Sequence, residues 1–523
     1  MRILVFHGYL LRGTGSNVYN ARLCAALARA GHVVDLLCQE PRAHELPFVD
    51  AVGTWEGGAA RVEVLREPVR VTAWRPDIGR LLPVYVADRY AGYEARPFGE
   101  CTDDEIARYV AANVAAVEEV AERARPDVAL ANHLVMGPLV LARGLDEAVP
   151  YAVKVHGSAL EYTVKRAPER FLPAAREGVE RARTVLVGSR HTAESLWAAL
   201  ADPALPARTR LGPPGVDVEE FRPRPAAEAA AEVRALGERL LGAAASDDDS
   251  AFARDDAAAG RALAGLRVAG DGRAGDRHVA FVGKLIVSKG VDLLAAAWPL
   301  VLSEVPHARL VVVGFGAWRE AFERLLAALA AGDLAAARAI AEAGRAAEGG
   351  PRAPLRHLLA FLDGLEGDDD LGRYRAAAGA LGDRVVLTGR LEHDELAPLL
   401  AACEAQVVPS TFPEAFGMVA AEAAACGVLP LSAAHSGLAE VTAALAAAVP
   451  PEAREWLAFE VGDGAVRAIA DRLVAWLRAP ADLREATRAA LVAVARERYS
   501  WDGVAAGVIA AAQGRHDALP EPV

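Results

Sequence analysis

Lysine is close to absent from this chain. Of the 57 basic residues among 523, only Lys154, Lys165, Lys284 and Lys289 are lysine, and the rest are arginine. Such a skew reflects a background preference for Arg and Ala, so the few places where Lys survives are informative. Cysteine is sparse as well. Cys24, Cys38, Cys101, Cys403 and Cys426 are scattered, odd in number and without a C-x-x-C pair, which excludes a disulfide framework and a structural zinc site and fits a reducing cytoplasm. No apolar run approaches the roughly eighteen residues that cross a bilayer. The N-terminal stretch Met1–His7 is broken by His7, Gly8 and Arg12 and precedes no small-x-small cleavage site, so it reads as a first buried strand and not as a signal peptide. An excess of positive charge is also missing. The formal net charge is −13, whereas a nucleic-acid binder needs a basic face.

What is present describes a folded protein: 53% of residues are hydrophobic and 24% charged, and the length calls for two domains. The N-terminal part alternates short apolar runs with helical patterns. Residues 2–7 read as a strand, Arg12–Asn17 as a glycine-bearing loop, and the next stretch as a helix with Leu23, Leu27 and Ala30 in phase and Gly31 at its end. Val33–Cys38, Val128–Ala131, Tyr151–Val155 and Val185–Val187 read as further strands. The alternation restarts after residue 277, with strands at Val279–Val282, Arg309–Val313, Val385–Leu387, Gln406–Val408 and Val428–Leu431. Strands alternating with helices predict a parallel, doubly wound sheet, here twice in tandem. Residues 224–277 and 317–380 break the rhythm as Ala-rich insertions.

Five motifs carry chemistry. In Phe281-Val282-Gly283-Lys284-Leu285-Ile286-Val287-Ser288-Lys289-Gly290, a strand leads into a helix. Gly283 permits close backbone approach, and two ammonium groups converge near a positive helix N-terminus, which suits a diphosphate. Two solvated lysines are the plain alternative. Half of the chain's lysines within one junction favours the diphosphate, and no P-loop pattern is present. In Pro409–Ala423, a strand ends at a Pro-bounded loop and a helix opens near Gly417, so Glu414 falls at the helix mouth and Glu422 further in. Glu422 among alanines reads as a buried carboxylate suited to a ribose hydroxyl; the alternative is a dipole-matching Glu beside an exposed one. His156, in Lys154-Val155-His156-Gly157-Ser158, ends a buried strand, a site position in open α/β sheets, though a structural histidine fits equally. Gly13-x-Gly15 lacks the third glycine of a dinucleotide fingerprint and reads as a close-approach loop. The stretch from Trp74 to Phe98 interleaves aromatic and basic residues, as sugar-binding, membrane-touching or simply packed segments do. The acidic triplets Asp247–Asp249 and Asp368–Asp370 read as solvated loops.

Taken in order, these motifs resemble glycosyltransferase family 4. The resemblance is carried by the loop at 13–17, Val155-His156-Gly157-Ser158, Val187-Gly188-Ser189, Gly212–Asp217, Phe221-Arg222-Pro223, Gly283–Gly290, Val313–Gly316, Pro409-Ser410, the E-x7-E pair Glu414/Glu422 and Ala425-Cys426-Gly427. It implies the α/β GT-B fold: two facing Rossmann-like domains with parallel sheets and a deep interdomain cleft. The expected layout is an N-terminal, acceptor-side domain at 1–220, an insertion or linker at 221–277, and a nucleotide-sugar-binding domain at 278–485 with a helical insertion at 317–380. A C-terminal segment, 486–523, would pack back on the N-terminal domain.

The resemblance also implies a cytoplasmic retaining glycosyltransferase moving a hexosyl group from a nucleotide-diphosphate sugar to an unknown hydroxyl acceptor: a small molecule, a glycan or a lipid-linked group. Lys284 and Lys289 would bind the diphosphate, Glu414 the donor-sugar hydroxyls and Glu422 the ribose. The backbone of Phe416-Gly417-Met418 would contact sugar or phosphate, His156 would lie beside the reacting sugar, and Gly15 and Gly283 would allow close approach to the donor. Lys284 stands where the family usually has Arg, a point charge in place of a fork. No cofactor, metal, nucleic-acid partner or transmembrane segment is expected. Alternatives on the same architecture are a nucleotide-sugar epimerase, a phosphorylase, or a non-catalytic nucleotide-sugar-binding protein; the incomplete glycine fingerprint disfavours a NAD-dependent dehydrogenase.

Overall fold

A computed structural model describes residues 1–12, 15–56, 58–85, 90, 92–243, 254–268, 275–366 and 370–522. The chain divides into two compact units, Met1–Gly215 with Tyr499–Val523, and Val216–Arg498.

The first unit is built on a nine-stranded sheet. Its order across the sheet is Thr209–Leu211, Thr184–Val187, Tyr151–Lys154, Val128–Asn132, Arg2–Phe6, Val33–Leu37, Val71–Arg75, Ala51–Glu56 and Ala59–Val64. Only the last strand runs antiparallel to its neighbour. Central strands such as Val128–Asn132 are buried at every residue, the continuous apolar pattern of a sheet covered on both faces. One covering layer includes helices Asp103–Ala124, Gly137–Gly144 and Pro168–Glu180. The other is helix Gly15–Arg29 with the C-terminal helix Trp501–Ala512. Asp103–Ala124 begins at a capping box in which Thr102 and Glu105 each satisfy the other's backbone N–H. Trp501 packs so closely on Gly215 that a Cβ there would lie 2.4 Å from the indole. That contact ties the C-terminal segment to the point where the chain leaves this unit.

The second unit holds a six-stranded parallel sheet ordered Val385–Gly389, Ala308–Val313, Arg277–Val282, Ala405–Val408, Leu429–Ala433 and Ala458–Phe459. Helix Val291–Glu304 is buried along most of its length, because helix Ala465–Arg478 packs on it and so do helices of the 317–380 insertion. That insertion is a cluster of four longer helices, Arg319–Ala330, Leu334–Ala343, Arg356–Glu366 and Leu371–Ala378. The described part of 221–277 forms the helices Ala226–Leu241 and Asp256–Ala264. They pack on each other, Asp256–Ala264 on the edge strand Val385–Gly389 and Ala226–Leu241 on helix His393–Ala401, and Arg239 and Arg254 both pair with the buried Glu395.

The layout differs from the expected boundaries in two places. The first divide falls after Gly215 instead of at 220, so Val216–Glu220 and the Phe221-Arg222-Pro223 that follows belong to the second unit. The tail returns to the first unit from Tyr499 and not from 486; residues 486–498 stay with the second unit, where Arg488 pairs with Glu404 at the start of a sheet strand.

Candidate functional site

The second unit gathers its chemistry beyond the carboxyl ends of its strands. Strand Arg277–Val282 runs into Gly283-Lys284, then into a short turn at Val287–Lys289 and the helix from Val291. Strand Ala405–Val408 runs into Pro409–Gly417 and the helix Met418–Ala425. These two loops clasp each other. Thr411 N–H donates to the Ser288 carbonyl at 2.9 Å, and Gly290, at φ 66°, lies so close that a Cβ would sit 1.9 Å from the Pro409 oxygen. Only glycine fits that crossing.

The clasp brings Lys289 to Glu414. Their side chains form an ion pair, each partly exposed, and Ser410 Oγ donates to the same carboxylate oxygen, Glu414 Oε1, at 2.6 Å. The loop is held from behind by the next strand's exit. Glu414 N–H donates to Ser436 Oγ at 2.8 Å, His435 Nε2 donates to the Ser410 carbonyl at 2.7 Å, and Gly437 N–H donates to the Glu414 carbonyl at 2.9 Å. Gly437 leaves room for Phe416, whose Cα would be 2.6 Å from an added Cβ. Phe416, Gly417 and Met418 are half-buried at the mouth of the helix, whose first N–H groups have no preceding carbonyl within the helix to bind.

Glu422 lies deeper on that helix and is 2% exposed. It has a partner that the local sequence does not reveal, His393 Nε2 at 3.2 Å. Phe221 packs its ring at 4.9 Å from the His393 ring. Lys284 is exposed and makes no ion pair among the described residues, so Lys289 alone of the two lysines meets Glu414. Gly283 is under no steric demand of its own, since an added Cβ would meet only the Phe281 ring at 3.5 Å. The 317–380 insertion reaches this region too: Glu348 Oε2 accepts from Val287 N–H at 2.8 Å.

The first unit carries a polar cluster at its own strand ends. His156 follows strand Tyr151–Lys154 and its Nε2 lies 2.9 Å from Asn132 Oδ1. Its ring packs 4.9 Å from His133 and 5.0 Å from Tyr19. Burial, with His133, Lys154 and His7 as neighbours, holds the His156 imidazole well below its ordinary pKa, so it is neutral. Lys154 is 2% exposed. Its ammonium donates to the Gly212 carbonyl and sits 5.8 Å from the Tyr19 ring centroid. Burial lowers its pKa to about 7. His133 adopts φ 67°, a strained conformation for a residue with a Cβ. Gly15 opens helix Gly15–Arg29 with nothing within 4 Å of an added Cβ, while Gly13 lies outside the described residues.

Elsewhere, Trp74 and Phe98 are buried core residues and Arg96 pairs with Glu94 and Glu105, so these members of the aromatic and basic stretch serve packing and ion pairing, while Arg89 lies outside the described residues. Asp247–Asp249, Asp368 and Asp369 lie outside the described residues. Among those that are described, no group of three or more His, Cys, Asp or Glu is gathered to hold a metal, and no helix is long and apolar enough to cross a membrane.

Two tandem parallel α/β units, each with polar side chains gathered beyond its strand ends, define the class of two-domain, doubly wound folds. Two family models match the chain in this order: Glycosyl transferase 4-like domain over residues 14–215 and Glycosyl transferases group 1 over residues 361–488. Together they span well over half of its length. The chain belongs to the family-4 type of glycosyltransferases and has the GT-B fold. No protein of curated function matches it. Among solved structures, it is similar to sucrose-phosphate synthase from Thermosynechococcus elongatus at 19% identity and TM-score 0.55, with 99% of each chain covered. It is also similar to Anabaena HepE in complex with UDP and glucose, at 16% identity and TM-score 0.53, covering 97% of this chain and 98% of that one. The catalytic domain of starch synthase IV from Arabidopsis thaliana, bound to ADP and acarbose, matches at 14% identity and TM-score 0.55, with 98% of each chain covered.

Proposed function

We propose that this glycosyltransferase is a metal-independent, retaining enzyme that moves a hexosyl group from a nucleotide-diphosphate sugar to an acceptor hydroxyl in the cytoplasm. The observation that carries the reading is the Lys289–Glu414–Ser410 cluster, held at the joint between a strand-exit loop and the N-terminus of helix Met418–Ala425. Glycosyl transfer develops positive charge on the sugar and negative charge on the leaving phosphate. Lys289 and Lys284, with the nearby helix N-termini, supply fixed positive charge for the diphosphate. Glu414 serves the sugar hydroxyls, and Glu422, oriented by His393, serves the ribose. The Phe416-Gly417-Met418 backbone contacts sugar or phosphate, and Gly15 and Gly283, which packing does not require to be glycine, leave room for the donor. His156 serves the reacting sugar as a neutral group. The leaving phosphate takes the proton of the acceptor hydroxyl as the new glycosidic bond forms on the same face. The five cysteines are all free and buried, which suits a reducing compartment.

The test is nucleotide release from a panel of UDP-, GDP-, ADP- and TDP-sugars with EDTA present. Release from one donor, undiminished by EDTA, supports the reading and identifies the base. Release that vanishes with EDTA overturns metal independence. Tight binding of one donor with no turnover under any acceptor favours a non-catalytic binding protein.

A further inference from the structure

A chain of hydrogen bonds runs through the first unit from His7 to His156, and backbone carbonyls fix its direction at every joint. A carbonyl only accepts, so whichever side-chain atom faces one must be a donor. Asn132 Nδ2 faces the Phe6 carbonyl at 3.2 Å and Asn20 Oδ1 at 2.7 Å, which turns Asn132 Oδ1 toward His156 Nε2. Asn20 Nδ2 faces the Ser16 carbonyl at 2.9 Å and His7 Nδ1 at 3.0 Å. His7 Nε2 in turn faces the Leu10 carbonyl at 3.0 Å and Asn17 Oδ1 at 3.0 Å, and Asn17 Nδ2 faces the Arg12 carbonyl at 2.8 Å. Each assignment agrees with the next. Asn20, Asn132 and His7 are all 0–1% exposed, so water does not substitute for any link.

We propose that Asn132, itself oriented by Asn20 and His7, is a positioning residue that holds His156 as the Nε2–H tautomer and leaves Nδ1 as a hydrogen-bond acceptor. The inference rests on the reading of His156 as the group serving the reacting sugar. Its consequence is selective: a ligand group meeting Nδ1 must be a donor, such as a neutral sugar hydroxyl, and a carboxylate or phosphate there is rejected. Neutrality follows from the surroundings. The titratable groups acting on His156 are His133, Lys154 and His7, all cationic when protonated, with the Tyr19 ring against it. The buried amide thus selects the tautomer without the positive charge that a carboxylate partner would induce.

The direct measurement is the imidazole nitrogen spectrum of enzyme carrying nitrogen-15 histidine, with His156→Ala assigning the signal. Between pH 6 and pH 8 the expected spectrum shows His156 protonated at Nε2 and bare at Nδ1; a dominant Nδ1–H form overturns the proposal. Asn132→Leu is expected to mix the tautomers and lower kcat/KM by about ten- to a hundredfold, the effect of one buried hydrogen bond, with affinity for the free nucleoside diphosphate unchanged. Asn132→Asp keeps the oxygen that accepts from His156 but loses the Nδ2–H that faces the Phe6 carbonyl and Asn20 Oδ1, so it is expected to restore the Nε2–H form only in part, with activity between those of Asn132→Leu and wild type. Full activity in Asn132→Leu alongside an inactive His156→Ala overturns the role of Asn132. Full activity in His156→Ala overturns the catalytic reading beneath it, and the wild-type spectrum still decides the tautomer.

Discussion

Lys289 and Glu414, brought together by the crossing of two strand-exit loops, form an ion pair in which the carboxylate also accepts from Ser410. The pair puts the two groups assigned to donor phosphate and donor sugar in direct contact. Because both side chains keep part of their surface in water, the pair is a small contributor to stability, at most about 1 kcal/mol. Under the proposed function its value lies in charge placed near the leaving phosphate. Lys289→Ala is therefore expected to lower turnover at least a hundredfold, on the order seen when one oxyanion donor is removed, with a nearly unchanged melting temperature. Near-normal turnover would remove the phosphate site from this loop.

The Glu422–His393 contact makes a different prediction. Glu422 is almost fully buried, and Glu422→Gln keeps an acceptor oxygen for His393 while replacing the carboxylate that the proposed function assigns to a ribose hydroxyl with a neutral amide. Glu422→Gln is expected to weaken nucleoside diphosphate binding about ten- to a hundredfold, read by calorimetry, while kcat at saturating donor changes less. If affinity is unaltered and only kcat falls, Glu422 acts on the sugar and not on the ribose.

Much of this site is legible in the chain because its parts are local. Strand, loop and helix N-terminus follow one another within Phe281–Gly290 and within Pro409–Ala423, and hydrophobic runs bounded by Gly and Pro mark where the sheet ends. What joins the parts is not local. Ser436 braces Glu414 from 22 residues away, and His393 meets Glu422 from another helix. Asn132 reaches Asn20 across 112 residues. His435 stands just past a strand end, the same position that singles out His156, and that rule applied to every strand would have found it. The unit boundary shifts for a similar reason: Gly215 is fixed by Trp501, a contact that no short pattern encodes.

Two glycines of the same motif are expected to separate packing from binding. Gly290 has a left-handed φ, and a Cβ would press on the Pro409 carbonyl. Gly290→Ala is expected to cost about 2 kcal/mol or more in stability and to lose donor binding with it. Gly283→Ala adds a methyl that meets only an ordinary contact within the protein. Its melting temperature is expected to stay within about two degrees of wild type, well under the shift of a 1 kcal/mol change in a small domain, while donor affinity falls. Equal affinity in Gly283→Ala would show that no ligand approaches that backbone.

Lys154 carries the last prediction, in stability against pH. Burial lowers its pKa to about 7 in the folded protein, against about 10.4 in an unfolded chain. Between those values the unfolded state binds a proton that the folded state does not, so stability from this group rises with pH across the window, by up to about 1.4 kcal/mol per pH unit. Below pH 7 both states are protonated, and the folded state bears the whole burial penalty of the charge. The Gly212 carbonyl accepts from either form, so the backbone contact survives the titration. Urea unfolding of Lys154→Met at pH 7, 8 and 9 is expected to show a flatter rise than wild type, and the difference between the two proteins should change steadily in favour of wild type as pH increases. Parallel curves would mean that Lys154 stays charged inside the fold, with the Gly212 carbonyl and the Tyr19 ring stabilising the ammonium enough to offset its burial.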